Sequence, residues 1–230
     1  MESMKREVLW GHHLDEYTDM FDLSELSFTM RFLEYQSGPS AFQAELRQQA
    51  AYLVSYDSWF SLDKASLTDE ILTSFDTRLT QIIVRKHEFD LRRYGTLEDL
   101  VSYRRVGVKK FLQDYELGHT EGRYLSVPSG ALPFEHFFYD FALSAHHFFS
   151  LVVPQTVDYH LQQIRELARV AKEVRIFPLV DANGIPSPLL GPVLLALQHD
   201  NYGVEVRDVS YHLQPKGNAM LRIWAEACQV

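Results

Sequence analysis

The sequence predicts an α/β protein built on a doubly wound, mostly parallel seven-stranded sheet. Three observations carry that expectation. Short apolar runs alternate with segments of helical periodicity along most of the chain. A strand–helix–strand unit opens the pattern at residues 31–56. Two strand-like runs at 204–209 and 219–225, separated by Pro215, Gly217 and Asn218, close it as an antiparallel hairpin.

Each element follows from local pattern. Residues 12–23 put Leu14, Tyr17 and Phe21 at helical spacing. RFLEY (31–35) is a short strand. Gly38-Pro39 then opens a helix over 40–49, because proline suits a first helical turn. AYLVSY (51–56) is the second strand and ends at Asp57. Leu67, Ile71, Phe75, Leu79 and Ile82 predict a helix over 66–88. Thr96 begins another, with Glu98 and Asp99 in its first turn and Leu100, Val108, Phe111 and Leu112 on its apolar face. Connections between a strand and the next are normally much shorter than this. Residues 60–120 are therefore expected to be a helical insertion, either a substrate lid or a structural elaboration. The remaining strands are RYLSV (123–127), YDFALS (139–144) and EVRIFPL (173–179), with helices over 158–171 and 189–200. The whole reads as one domain, 1–230, with an N-terminal helical segment at 1–30.

Bulk composition narrows the class. The 230 residues are 46% hydrophobic and 23% charged, which suits a globular chain with one sizeable core. The net charge of −9, with no basic run, argues against nucleic-acid and anionic-membrane partners. A single cysteine, Cys228, excludes an internal disulfide and is compatible with a reducing, cytoplasmic setting. Met1–Glu7 lacks a signal peptide's apolar region, and the apolar stretch from Leu189 to Leu197 is too short to span a bilayer. His12-His13 and His146-His147 lack metal-ligand spacing, so no metal is expected.

Chemistry is expected where the strands end. Ligands in doubly wound sheets bind beyond the carboxyl ends of the strands, at the switch in strand order. LEYQSGPSAF (33–42) runs from a strand into a helix through Gly38, where a ligand can approach the backbone. Asp57 ends the second strand about 20 residues further on, where an acid commonly accepts from ribose hydroxyls.

On these residues, and on YLVSYD, GRYLSVPSGALPFEHFFYDFALSAHHFF, IRELARVAKEVRIFPL and the closing hairpin, the chain resembles the class I S-adenosylmethionine-dependent methyltransferases that act on small molecules. The resemblance runs from residue 31 to the end, apart from the insertion, and implies their Rossmann-like fold. It also implies S-adenosylmethionine as cofactor and a small-molecule methyl acceptor. Glu34, Tyr35, Gln36, Gly38, Pro39 and Ser40 would meet the cofactor's amino-acid end. Asp57 would hold the ribose, with Ser58 and Trp59 beside the adenosine. Ser129, Gly130, Ala131 and Leu132 would lie at the adenine edge, and Ser144 to His146 would line the methyl-donor pocket. Tyr17, with His13, would close the site from the N-terminal segment.

Two positions depart from the family pattern. Gln36 replaces the first loop glycine, and Ser129 stands where an acid is common. Methyl transfer is an in-line displacement, so positioning carries most of the catalysis. A base is needed only when the acceptor must lose a proton. His146 is the first candidate, with His147 and His13 behind it, because histidine titrates near neutrality. Phe148 and Phe149 are candidates to touch an apolar acceptor. The alternative is a methyltransferase-like binding or interaction protein without activity. A nicotinamide-dependent oxidoreductase is disfavoured by the missing G-x-G-x-x-G.

Overall fold

The structure, a computed structural model, describes residues 11–23, 30–49, 52–126, 131–149, 156–181, 183–214 and 216–225. Seven strands form one sheet: β1 (Arg31–Tyr35), β2 (Tyr52–Tyr56), β3 (Tyr124–Leu125), β4 (Tyr139–Ala145), β5 (Ala171–Phe177), β6 (Tyr202–Asp208) and β7 (Ala219–Ala225). Their order is β3-β2-β1-β4-β5-β7-β6. β1 pairs in parallel with β2 and β4, as β2 does with β3 and β4 with β5, while β7 runs antiparallel between β5 and β6. The expected mostly parallel sheet with a terminal antiparallel hairpin is thus observed. β1 is buried from Phe32 to Tyr35, as a central strand covered on both faces must be.

Helices α1 (Leu14–Phe21) and α2 (Phe42–Leu46) cover one face, and α5 (Val157–Val170) and α6 (Leu190–His199) the other. α2 is shorter than expected, because its last turn tightens into a 3₁₀ turn at Arg47–Gln49. α5 buries His160, Leu161, Ile164, Leu167 and Ala168 against the sheet and passes directly into β5. Its start is fixed by Thr156, whose hydroxyl accepts the amide of Tyr159 at 3.2 Å.

The long connection from β2 to β3 holds α3 (Lys64–Val84) and α4 (Leu97–Thr120). Thr96 and Asp99 form a capping box that starts α4. The two helices do different work. α4 packs along α2 and β3, the ordinary place of a crossover helix, and α3 packs on α4. α3 leaves the end of β2 and carries the chain to the far side of the sheet. Just past its end, Arg85 donates to Asn183 Oδ1 in the loop after β5 at 2.9 Å, and the Asp90 amide donates to Leu213 O after β6 at 2.9 Å. A helix of 21 residues is about 31 Å long, enough to cross several strands spaced about 4.8 Å apart. The buried stripe of α3 is Leu67, Ile71, Phe75, Arg78 and Ile82. Arg78 joins that stripe, and Leu79 packs half-buried against the same core as expected. Among the described residues no helix is long and apolar enough to cross a membrane.

Candidate functional site

The site is built where β1 and β4 diverge. Crossovers from β1 go one way in the sheet and the chain enters β4 on the other side, so a crevice opens between their carboxyl ends. The loop after β1 turns there through two left-handed residues, Gln36 (φ 51°) and Gly38 (φ 72°). Gln36 therefore keeps a glycine-like backbone, at a cost of order 1 kcal/mol. Its amide still extends the sheet, donating to Tyr56 O at 2.7 Å.

Asp57 faces this loop from the end of β2. Its carboxylate accepts the Gly38 amide on Oδ2 at 2.9 Å and the Trp59 amide on Oδ1 at 3.0 Å. The second bond caps the 3₁₀ turn Ser58–Ser61. The Ser58 hydroxyl also approaches Oδ1, at 3.5 Å. Ser58 is exposed and Trp59 half-buried beside it.

Glu34 lies deeper, with three hydroxyl donors: Tyr17, Ser40 at 2.8 Å and Ser55 at 2.5 Å. Burial raises its pKa, and those hydrogen bonds oppose the shift. Tyr17 is fully enclosed, its ring stacked on Phe42 at 4.3 Å. It supports Glu34 from below. Across the crevice, Ser37 Oγ accepts the Ala145 amide at 2.9 Å, and Ser144 Oγ donates to Tyr35 O at 2.9 Å. The Tyr35 side chain turns away to Gln163.

The N-terminal strap, residues 11–13, is tied to the loop. The Gly11 amide donates to Pro39 O at 3.1 Å, and Ala41 donates to His12 O at 2.8 Å. Above it, Gly11 meets Gly107 of α4 so closely that a Cβ on Gly107 would lie 2.0 Å from Gly11 O. The ring of His12 stacks on that of His146, centroids 5.0 Å apart. His146 ends β4 with φ 57°, its amide donating to Phe177 O at 2.6 Å. His146 Nε2 is enclosed and has no hydrogen-bond partner among the described residues.

Several expectations are corrected here. Burial, then the positive charges of Arg104 and Arg78, hold His146 at a pKa of about 3. It is neutral near pH 7, but it is too weakly basic for the general-base role expected from histidine's usual pKa. His13 does not close the site. Its Nδ1 contacts Glu45 at 2.7 Å and its Nε2 contacts Tyr103 O at 3.0 Å, and its neighbour His12 is the residue that reaches the strand ends. Phe148 and Phe149 are core residues packed beside His160, so neither is presented to an acceptor. His147 is buried against Tyr35 and Phe148.

Leu132 is buried against α5, its amide held by Glu166 at 2.6 Å, while Ala131 is exposed. Ser129 and Gly130 lie outside the described residues, as does Cys228.

Sequence reasoning missed Arg104, Glu16 and Tyr211. Arg104 sits in the apolar stripe of α4, in phase with Leu97, Leu100, Val108 and Phe111. Its guanidinium pairs with Glu16 of α1 at 2.7 Å and donates to Tyr211 OH at 2.8 Å, all three groups buried. Tyr94 also donates to Glu16. An arginine at an inward helical position was the available signal.

No family model matches the chain. It is 25% identical over 224 residues to an uncharacterized protein of Methanocaldococcus jannaschii, covering 96% of this chain and 97% of that one. Among solved structures it is similar to a SAM-dependent methyltransferase of Aquifex aeolicus (16% identity, TM-score 0.42, 91% of this chain and 92% of that one). It is also similar to the magnesium protoporphyrin IX methyltransferase of Synechocystis with bound SAM (8%, TM-score 0.46, 93% and 78%). A third is a TehB-like SAM-dependent methyltransferase of Corynebacterium glutamicum (10%, TM-score 0.42, 88% and 83%).

Proposed function

We propose that this chain binds S-adenosylmethionine at the β1–β4 crevice and transfers its methyl group to a small molecule held beneath α3. The observation that carries the reading is the Asp57 carboxylate, bonded to the Gly38 amide at 2.9 Å beside the switch point. The donor and acceptor set fits this cofactor. Asp57 is the strand-end acid placed for the ribose hydroxyls, and the two left-handed residues of the loop bring backbone close to the ligand.

When bound, the cofactor supplies an electrophilic methyl group with its own leaving group. The protein's part is then placement. Asp57 fixes the ribose, the loop through Gly38 and Pro39 the amino-acid end, and Ser144 and Ala145 the floor at the end of β4. Tyr17 and Glu34 act as positioning residues that hold the loop through Ser40. The strap and α3 exclude water from the reacting atoms. Gln36 favours a second reading, a binding protein of the same fold without turnover, since its Cβ stands where a glycine would leave space.

Titration calorimetry with S-adenosylmethionine and S-adenosylhomocysteine tests the proposal. Micromolar affinity that Asp57→Ala weakens at least tenfold is expected. No binding of either at millimolar concentration overturns it.

A further inference from the structure

His13 fastens the strap through both nitrogens of its ring. Nδ1 lies 2.7 Å from Glu45 Oε1, and Nε2 lies 3.0 Å from Tyr103 O. A carboxylate and a backbone carbonyl can only accept. Both nitrogens therefore carry protons, and the ring in this geometry is an imidazolium. A neutral ring would set a lone pair against one of the two oxygens. The ring also lies against that of Tyr103, centroids 4.1 Å apart, and an aromatic face attracts a cation.

The charges around His13 favour the same form. From α2 comes Glu45, which also accepts Lys110 Nζ of α4 at 2.6 Å and the Leu14 amide at 2.7 Å. From α1 come Asp15, Asp19 and Glu16, the first two paired with Arg93 and the third with Arg104. His12, next in the chain, is kept neutral by burial. Burial alone would lower the pKa of His13, but the bonds to Glu45 and Tyr103 O outweigh it and raise it above 6.5. An open groove of about 720 Å³ runs past His13 between α1 and Lys110, so the proton exchanges with water.

The strap held in this way rests on the loop between β1 and α2. The Gly11 amide donates to Pro39 O, and the Ala41 amide to His12 O. Glu45 lies on α2, the helix that this loop enters, so one carboxylate joins strap and loop into a single unit. We propose that His13 is a positioning residue for the cofactor, clamping the strap onto the loop when protonated, so that cofactor affinity falls as the proton is lost. This rests on the methyltransferase reading and adds a proton linkage to it. The sign follows from the geometry. Closing the strap favours the protonated ring, so a ligand that needs the strap closed takes up a proton as it binds. Its affinity is greatest below pH 6.5 and declines as pH rises through the raised value.

The probe is S-adenosylhomocysteine, titrated by calorimetry into the full chain and into His13→Gln from pH 6.5 to about 9. The ligand's own amino group titrates alike in both proteins, so the difference between the two profiles belongs to His13. Wild-type affinity should fall about threefold further than that of the variant. A purely structural role would weaken the variant equally at every pH. His13→Gln can also loosen the fold, so the His13 ring of the wild type is followed by NMR with and without saturating ligand, and its midpoint should lie higher in the complex. Coincident midpoints, or a His13→Gln profile as steep as that of the wild type, overturn the linkage and leave the methyltransferase reading intact. Failure of S-adenosylhomocysteine to bind the wild type at any pH overturns both.

Discussion

Arg104 and Glu16 meet at 2.7 Å with both side chains sealed from solvent, and this pair fastens α4 to the N-terminal helix. Glu16 also accepts the His13 amide in the capping box of α1, at 2.9 Å. One charge therefore sets both the start of α1 and its docking on the helices beyond β2. Arg104→Met would strand the Glu16 carboxylate in the interior and should cost about 3–5 kcal/mol in chemical denaturation. Adding Glu16→Gln should recover a large part, because no unpaired charge then stays buried. A single substitution that costs under 1 kcal/mol would contradict the burial of this pair.

The close approach of Gly107 to Gly11 gives a second test. Helix propensity alone favours alanine over glycine by about 1 kcal/mol. At Gly107 the added Cβ would strike the backbone of the strap, 2.0 Å from Gly11 O. Gly107→Ala should therefore destabilise, by about 1–3 kcal/mol, and should also weaken S-adenosylhomocysteine binding, since the strap bonds Pro39 and Ala41 of the loop. Thermal unfolding and calorimetry read the two effects separately.

Much of this was legible in the sequence, and what was not has a common cause. β1 falls at 31–35 as expected, and Asp57 caps the turn after β2, because strand alternation and a strand-end acid are local signals. The long connection from β2 to β3 was visible by its length, but local periodicity could not tell that α4 packs as a crossover helix while α3 lies across the strand ends. Nor could it pair His12 with His146, which are brought together only by the strap's path under α4. Arg78 and Arg104 were passed over because charge was read as surface, although their helical phase points inward. Contacts between residues far apart in the chain are set by tertiary packing, which a single sequence does not display.

Gln36 yields the prediction most directly tied to function. Its left-handed backbone costs of order 1 kcal/mol that glycine would not pay in the fold, while glycine gives back a similar amount in unfolded-chain entropy. Gln36→Gly should thus change stability by less than about 1 kcal/mol. It should tighten S-adenosylmethionine binding, by about tenfold or 1.4 kcal/mol, by removing the side chain from beside the loop. Weaker binding would mean that the glutamine side chain itself holds the ligand.

The acid limb of stability should be dominated by histidines, and their signs differ. Burial and neighbouring arginine charge lower His146 to about 3, and burial lowers His12 as well. Below pH 6.5 the unfolded chain takes up protons that these rings refuse. Stability from them is complete above pH 6.5 and is lost as pH falls toward 3, by about 1.4 kcal/mol per unit for each group at most. His13 works the other way. Burial would lower it, but Glu45 and Tyr103 O outweigh that and raise it, so its contribution is present below pH 6.5 and fades as pH rises through its folded value. Glu45 is held at about 2, against its own burial, by His13, Lys110 and the Leu14 amide, and adds a loss between about pH 4.5 and 2. Denaturation from pH 8 to 4 should therefore show stability falling from pH 6.5 downward, well before carboxylates titrate. His146→Phe should flatten that slope by about one proton. His13→Gln should instead leave that slope in place and remove the gain in stability as pH falls from 8 to 6.5, the window in which the raised His13 takes up its proton in the folded chain first. Ring proton shifts in NMR give the direct check: the His146 signal should stay unmoved from pH 8 to 5. A His146 signal that moves near pH 6.5 would mean that the ring is open to water and able to serve as a base after all.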